Sequence, residues 1–205
     1  MNIKKIYREI LRLPTNWSMR KKLNNRTASI IASNCVGGGV ISHELGIRFN
    51  SPTVNLCMKP GDYLKFLSNL DFYLAQNFIE CHIDGVSYPV GKLVDIYVYF
   101  VHYDTFEEAI LKWRERCARI DKKNLFVMMV QRDGCTEDDI RAFSKLPYKN
   151  KVIFTAKEVK ECPYAYYIPG TTSKNGDVIN LCDYQGKFTG KRWIDEFDYV
   201  SFLNG

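Results

Sequence analysis

Hydrophobic and polar positions along the chain follow two periods that alternate. Apolar runs rich in β-branched and aromatic residues predict strands over residues 28–32, 53–58, 78–83, 93–101, 125–130 and 151–155. Helical spacing predicts helices over residues 40–46, 61–76 and 105–120, and another that begins at Thr136. This alternation favours an α/β fold, a mostly parallel sheet with helices on both faces. Beyond residue 155 the pattern predicts an irregular, β-rich C-terminal extension with short strands at 164–168 and 178–182.

The first residues form a separate pattern. The apolar residues on one helical face are Ile3, Ile6, Ile10 and Leu13. Pro14 and Asn16 predict the end of this helix, and residues 17–26 read as a basic connector. Residues 1–26 carry eight basic side chains and one acidic side chain, a charge of +7, whereas the whole chain carries +6. The chain therefore divides into a basic amphipathic arm, 1–26, and a single, nearly neutral α/β domain, 27–205.

The arm has two interpretations that its pattern leaves open. A basic amphipathic helix can bind the surface of an anionic membrane, or it can pack on the body of the protein. We expect no nucleic-acid partner, because the arm has no recognition motif and no repeated stacking aromatics.

Composition and cysteine spacing indicate the cellular compartment of the protein. The chain of 205 residues, 46% hydrophobic, can bury one sizeable core. Its seven cysteines are scattered and never form a C-x-x-C pair, which argues against a disulfide framework and a zinc ribbon and favours a reducing cytoplasm. No apolar run is long enough to span a bilayer, and no secretory signal is recognisable. We expect a cytoplasmic protein that the arm could hold at the inner face of the cell membrane.

The most informative segment follows the first predicted strand. Ser33, Asn34 and Cys35 lead directly into three glycines. Ligands bind at the carboxyl ends of strands in open α/β sheets. A thiol at a strand-to-helix junction is a candidate nucleophile, so Cys35 is the predicted catalytic residue. A free cysteine is more often a buried structural residue, and this alternative stays open.

Neighbouring groups complete a predicted acyl-transfer site. Asn34 and the backbone of Gly37 and Gly38 are predicted to bind an oxyanion, with Ser33 beside them. His43, eight residues after Cys35, is a candidate general base. The glycine spacing matches neither a dinucleotide-binding motif nor a P-loop.

Other polar side chains follow predicted strands and should gather at the same sheet edge. Arg132 and Asp133 follow the predicted strand 125–130. Asp133 either orients a histidine or binds a substrate hydroxyl, or it forms an Asp-Gly turn before the helix cap at Thr136. His102 is a second candidate base or a partly buried histidine. Lys157 could contact an anionic substrate or be a solvated surface residue. No histidine or carboxylate spacing indicates a metal site.

Four segments together resemble a known family. Residues 33–38, 45–56, 132–136 and 146–155 resemble the bacterial DUF1919 family, a domain of unknown function. Its members are associated with exopolysaccharide or capsule biosynthesis, and the family supplies no established catalytic residues. The resemblance covers most of the chain from about residue 27 onward.

A looser similarity, through Asn34 and Cys35 alone, connects the chain with the capsule acetyltransferase WcbI, which is linked to coenzyme A. These resemblances imply an acetyl (acyl) transferase of polysaccharide synthesis that uses acetyl-coenzyme A and acts on a sugar or lipid-linked sugar. The alternatives are a glycosyl or sugar-phosphate transferase and a non-catalytic, membrane-associated assembly protein.

Overall fold

Two β-sheets form the framework of the computed structural model, which describes residues 3–205, with side chains from residue 6 onward. The strands in chain order are β1 (Ser29–Ala32), β2 (Ile79–Cys81), β3 (Val90–Leu93), β4 (Ile96–Tyr99), β5 (Leu125–Val130), β6 (Asn150–Thr155) and β7 (Ala165–Tyr167). The larger sheet has the order β1-β5-β6-β7, and all its neighbouring strands are parallel. The smaller sheet, β2-β3-β4, is antiparallel.

Helices cover both faces of the parallel sheet. The α-helices are α1 (Ile3–Lys22), α2 (His43–Leu45), α3 (Pro60–Ser68), α4 (Leu70–Leu74), α5 (Phe106–Cys117), α6 (Glu137–Lys145) and α7 (Tyr199–Asn204). A π-helix, Val36–Ser42, precedes α2, and short 3-10 helices occupy Lys122–Asn124 and Trp193–Glu196. The predicted α/β class with helices on both faces is confirmed.

The two faces of the sheet carry two hydrophobic cores. Side chains alternate along a strand, so Val127 and Met129 of β5 enter one core whereas Phe126 and Met128 enter the other. The first core also contains α3 to α6 and the antiparallel sheet. The second contains the π-helix, α2 and α7. Thr105 and Thr136 accept hydrogen bonds from the first turns of α5 and α6, as their positions in the sequence predict.

Three strand predictions are wrong, and one of them is the short strand predicted at 178–182, where only Val178 forms an isolated bridge, with Thr172. Residues 53–58 form no strand, apart from an isolated bridge between Cys57 and Tyr99. The reason is local, because Asn55 has a left-handed φ of 62° and the Thr53 hydroxyl, rather than its backbone, accepts the Ala32 N–H. Residues 93–101, predicted as a central strand, instead supply the end of β3 and all of β4 in the antiparallel sheet.

The predicted end of the first helix is also wrong. Helix α1 continues through Pro14 to Lys22, so most of the predicted basic connector is helical. Proline removes one hydrogen bond, but contacts on both sides of it hold the helix: Arg12 is buried before it and Leu23 after it. Among residues 3–205, no helix is both long and apolar enough to cross a membrane.

The C-terminal part of the chain is mostly irregular. After β6 it contains β7, two isolated bridges that pair Thr172 with Val178 and Tyr184 with Arg192, and α7. Its buried residues Val178, Leu181 and Ile194 join the second core. This extension thereby covers one face of the parallel sheet and reaches its carboxyl edge.

Candidate functional site

The carboxyl ends of β1 and β5 lie side by side, because the two strands are parallel neighbours with Ala32 opposite Met128. Ser33 fixes this junction. Its backbone N–H donates to the Met128 carbonyl at 3.1 Å, and its hydroxyl accepts the Val130 N–H at 3.2 Å. The residues that follow each strand therefore leave the sheet at the same edge.

A cavity of about 430 Å³ opens at this edge. The predicted site residues that line it are Asn34, Cys35, His102, Arg132 and Asp133. The other lining residues are Cys57, Met58, Lys59, Tyr88, Tyr99, Asn180 and Cys182. Its volume lies within the range typical of small-molecule sites, about 300–1,000 Å³. Five sequence-predicted residues from three separate segments thus meet in one cavity.

Asn34 and Cys35 stand where β1 turns into the π-helix. The Asn34 side-chain oxygen accepts the Val36 N–H at 3.1 Å, so its amide group remains as the hydrogen-bond donor. Cys35 is the residue before the π-helix, and its sulfur lies 3.9 Å from the Leu56 carbonyl oxygen. A π-helical turn is rare and frequently occurs at functional sites.

The glycines after Cys35 allow close packing of this π-helix. A Cβ on Gly37 would lie 2.7 Å from the Ala32 Cβ, and one on Gly38 would lie 2.4 Å from a Val54 methyl group. Both glycines are buried and belong to the π-helix, which begins before the helix predicted at 40–46. Gly37 and Gly38 do not line the cavity, so their predicted oxyanion role stays a prediction.

Arg132 and Asp133 form the second side of the cavity. The Arg132 Nε donates to the Asp133 carboxylate at 3.0 Å, and Asp133 has a left-handed φ of 59°. The Cys135 N–H closes the turn onto the Arg132 carbonyl. Asp133 therefore both belongs to the turn before α6 and lines the cavity, so the two interpretations of this residue are compatible.

The third side comes from the segment that joins the two sheets. The Met58 N–H donates to the Ser33 carbonyl at 3.0 Å, while Cys57 exchanges two backbone hydrogen bonds with Tyr99 of β4. Tyr88 meets Tyr99 edge to face, with ring centroids 6.5 Å apart. His102 follows β4 on the same side. This wall supplies aromatic surface and an imidazole.

The C-terminal extension closes the fourth side with Asn180 and Cys182. Arg192 holds this segment, because its guanidinium donates to the Cys182 carbonyl and, at 2.7 Å, to the buried carboxylate of Glu44. Glu44 lies in α2, directly behind the π-helix that begins after Cys35. The wall is thus tied to the same helical segment that carries Cys35.

Three thiols share the cavity, and burial makes each of them a weaker acid. Desolvation raises the pKa of Cys35 from 9.0 to about 11, although the positive charge of Arg132 lowers it in part. Burial likewise raises the pKa of Cys57 to about 12, and Asp133 and Cys35 add to that rise. The pKa of Cys182 also rises to about 12 through burial. All three are neutral thiols at neutral pH, so Cys35 needs a base before it can attack an electrophile.

Comparison with known proteins identifies the family. A family model described as "Domain of unknown function (DUF1919)" matches residues 6–204. The chain belongs to the DUF1919 family. This DUF1919 protein is also 44% identical, over 189 residues, to a protein of Haemophilus influenzae named "Uncharacterized protein", a match that covers 92% of this chain and 90% of that relative. The family resemblance of the sequence is confirmed, whereas the links to exopolysaccharide synthesis and to WcbI stay predictions.

Some predicted site residues of the DUF1919 protein lie elsewhere. His43 is exposed at the start of α2 and does not line the cavity. Lys157 pairs with Glu137 at 2.9 Å and lines a separate groove of about 740 Å³ beside α6. Ser33 is buried, and its hydroxyl accepts the Val130 N–H at the β1–β5 junction rather than lining the cavity. Of the two predicted bases, the structure brings only His102 to the cavity that contains Cys35.

The residues that sequence reasoning missed come from distant segments. Tyr88, Tyr99, Asn180 and Cys182 reach the cavity through the antiparallel sheet and the C-terminal extension. Lys59 also lines the cavity, and its position directly after the predicted strand 53–58 is the sequence signal that points to it. Within residues 3–205 of the DUF1919 protein, no group of three or more His, Cys, Asp or Glu side chains could hold a metal ion.

Proposed function

We propose that the cavity is the active site of an acyltransferase that moves an acyl group, such as acetyl, from a thioester donor to a sugar hydroxyl. The observation that carries the proposal is that Cys35 and His102 line the same cavity, at the carboxyl edge of the parallel sheet. A thiol and an imidazole in one site are the two groups that covalent acyl transfer requires.

In the first step His102 takes the proton of the Cys35 thiol as the sulfur attacks the donor carbonyl. A new bond forms between the Cys35 sulfur and the acyl carbon, the donor's carbon–sulfur bond breaks, and coenzyme A leaves as its thiol with the proton from His102. In this step the Asn34 amide, which lines the cavity and has its oxygen bonded to the Val36 N–H, donates to the proposed oxyanion.

In the second step the sugar hydroxyl attacks the thioester on Cys35. His102 takes the hydroxyl proton and returns it to the Cys35 sulfur as the carbon–sulfur bond breaks, which restores the thiol and releases the acylated sugar. The neutral state of Cys35 fits this cycle, because each step starts or ends with the protonated thiol.

The other lining residues support an acceptor that is a sugar and a donor that is anionic. Asp133 and Asn180 offer polar groups to hydroxyls, and the rings of Tyr88 and Tyr99 offer apolar faces. Arg132 and Lys59 bring positive charge for phosphate groups, such as those of coenzyme A or of a lipid-linked sugar. A role in exopolysaccharide or capsule synthesis, and a place in the cytoplasm at the inner face of the membrane, are part of this proposal.

Mass spectrometry of the intact protein after incubation with acetyl-coenzyme A tests the first step. We expect the mass of one acetyl group on Cys35, no such adduct in Cys35→Ala, and slower formation in His102→Gln. Cys57→Ser is the matched control, because it removes a thiol of the same cavity and should leave the Cys35 adduct intact. If no adduct forms on Cys35, or if Cys35→Ala still acetylates sugar acceptors at the full rate, the covalent mechanism is wrong.

A glycosyl or sugar-phosphate transferase is the second candidate, and Lys59 together with Arg132 in the cavity favours it. Thermal shift separates the two functions. Stabilisation by acetyl-coenzyme A supports acyl transfer, whereas stabilisation by a nucleotide sugar alone supports the second candidate.

A further inference from the structure

Helix α1 turns its polar face inward and its apolar face outward. The residues that face the body are spaced three to four apart: Arg12 is buried, and Arg8, Asn16 and Met19 are half-buried. Three of these four side chains are polar. On the opposite side Ile10, Leu13 and Trp17 are 58%, 62% and 62% exposed. A helix that packs on a globular body ordinarily shows the reverse arrangement.

Buried ion pairs hold α1 in this orientation. The Arg12 guanidinium, in a side chain that is only 2% exposed, pairs with Glu44 of α2 at 2.5 Å and with Asp195 of the C-terminal extension. It also donates to the Tyr199 hydroxyl at 3.2 Å. The outward apolar face is therefore fixed in place before anything binds to it.

A neighbouring loop adds a further apolar side chain. Arg8 and Arg12 donate to the carbonyls of Gly186 and Gly190, each at 3.1 Å, so the loop of residues 186–190 lies against α1. Between these two anchor points Phe188 is 81% exposed. Two elements that contact each other, α1 and this loop, thus each present large apolar side chains to solvent. Exposed apolar side chains of this size are typical of an interaction surface.

We propose that these residues form a docking surface for an anionic phospholipid bilayer. The docking surface consists of Ile10, Leu13 and Trp17 of α1 and Phe188 of the neighbouring loop. The same two elements carry the exposed lysines Lys21, Lys22 and Lys187. The Lys21 ammonium lies 3.6 Å from the centre of the Trp17 ring. Tryptophan and flanking lysines are the side chains that anchor proteins at a membrane–water interface.

Charge favours a membrane over a second copy of the chain. Arg12 is neutralised by its buried carboxylates, but Arg20, Lys21, Lys22 and Arg26 are exposed, against the single acidic residue Glu9 within residues 6–26. Pairing two copies through α1 would therefore bring two positive surfaces together. Anionic headgroups instead complement that charge, while the acyl region receives the apolar side chains. The docking proposal rests on the membrane location included in the proposed function, but it does not depend on acyl transfer, since it uses none of the residues that line the cavity.

Flotation of the full chain with vesicles tests the proposal. We expect binding to vesicles of phosphatidylethanolamine and phosphatidylglycerol, and little binding to vesicles of phosphatidylcholine alone. Leu13→Ser with Trp17→Ser should weaken binding by at least about tenfold, because buried apolar carbons supply most of the affinity. Lys21→Gln and Lys22→Gln should each weaken it by about fivefold, and added salt should do the same.

Leu111→Ser is the matched control, because Leu111 is 56% exposed on α5, which packs in the other core. It should bind vesicles as the unchanged protein does. All substituted side chains are exposed, and thermal melts should show that the variants stay folded. Equal binding by Leu13→Ser/Trp17→Ser overturns the proposal, as does absence of vesicle binding. A dimer seen by light scattering that this double variant converts to monomer also overturns it, since a second copy would then cover the surface.

Discussion

Replacing Arg12 by methionine is expected to destabilise the protein by about 3–5 kcal/mol, the cost of removing one partner from a buried ion pair. Methionine fills much of the same space, so the loss comes from charge rather than from a cavity. In this variant Glu44 still pairs with Arg192, whose Nε lies 2.7 Å from the Glu44 carboxylate, but Asp195 loses the guanidinium that pairs with it. A buried carboxylate without a counter-charge is then held in the folded state only at high cost.

Urea unfolding followed by circular dichroism measures this loss. With a slope of about 2 kcal/mol per molar urea, the midpoint should fall by about 2 M. Arg20→Met is the matched control, because Arg20 is an exposed arginine of the same helix that donates to the Glu44 backbone carbonyl. It should cost less than about 1 kcal/mol.

A second substitution checks the mechanism. In Arg12→Met the Asp195 carboxylate loses the guanidinium that pairs with it, so adding Asp195→Asn to Arg12→Met should recover part of the lost stability. A loss of less than about 1 kcal/mol for Arg12→Met at neutral pH, or no recovery in Arg12→Met/Asp195→Asn, would refute the reasoning.

Two further predictions concern the π-helix and the cavity thiols. Gly38→Ala should cost about 1–3 kcal/mol, since its Cβ would meet Val54, whereas Gly61→Ala in α3, where a Cβ meets no atom within 4 Å, should be neutral or stabilising in thermal melts. Stability should fall as pH rises above about 9, because the folded protein retains protons on Cys35, Cys57 and Cys182, with pKa values of about 11, 12 and 12, that the unfolded chain releases. Cys57→Ser should reduce that fall in urea titrations, and an unchanged alkaline profile would contradict the assignment.

Segments with strong local signals were predicted from sequence alone. β5 is a run of six buried apolar residues and matches the predicted 125–130, and Thr105 and Thr136 marked the starts of α5 and α6. The run 53–58 has similar β-propensity, yet it forms no strand because the Thr53 side chain occupies the edge of β1. Propensity does not report which edge of a sheet is free to pair.

The orientation of α1 is a second feature that the sequence pattern alone does not predict. Periodicity identifies Ile10 and Leu13 as neighbours on one helical face, but it does not tell which face is inward. That choice depends on Arg12 and its partners Glu44 and Asp195, which are distant in the chain. The cavity, too, could be predicted only in part. Parallel neighbouring strands bring Cys35 and Arg132 to the same cavity, which the strand pattern predicts. Tyr99 and Cys182 reach it through contacts between distant segments, which no local pattern encodes.

The pairing of Arg12 with Asp195 spans 183 residues and so imposes an order on folding during synthesis. When α1, β1 and α2 have left the ribosome, Arg12 has Glu44 within reach, but Asp195 and the loop 186–190 have not yet been made. A contact between such distant residues forms late, because the intervening chain must first be ordered. The wall that carries Cys182 depends on the same late segment through Arg192. A nascent chain therefore holds Cys35 in an incomplete cavity until its last elements are translated.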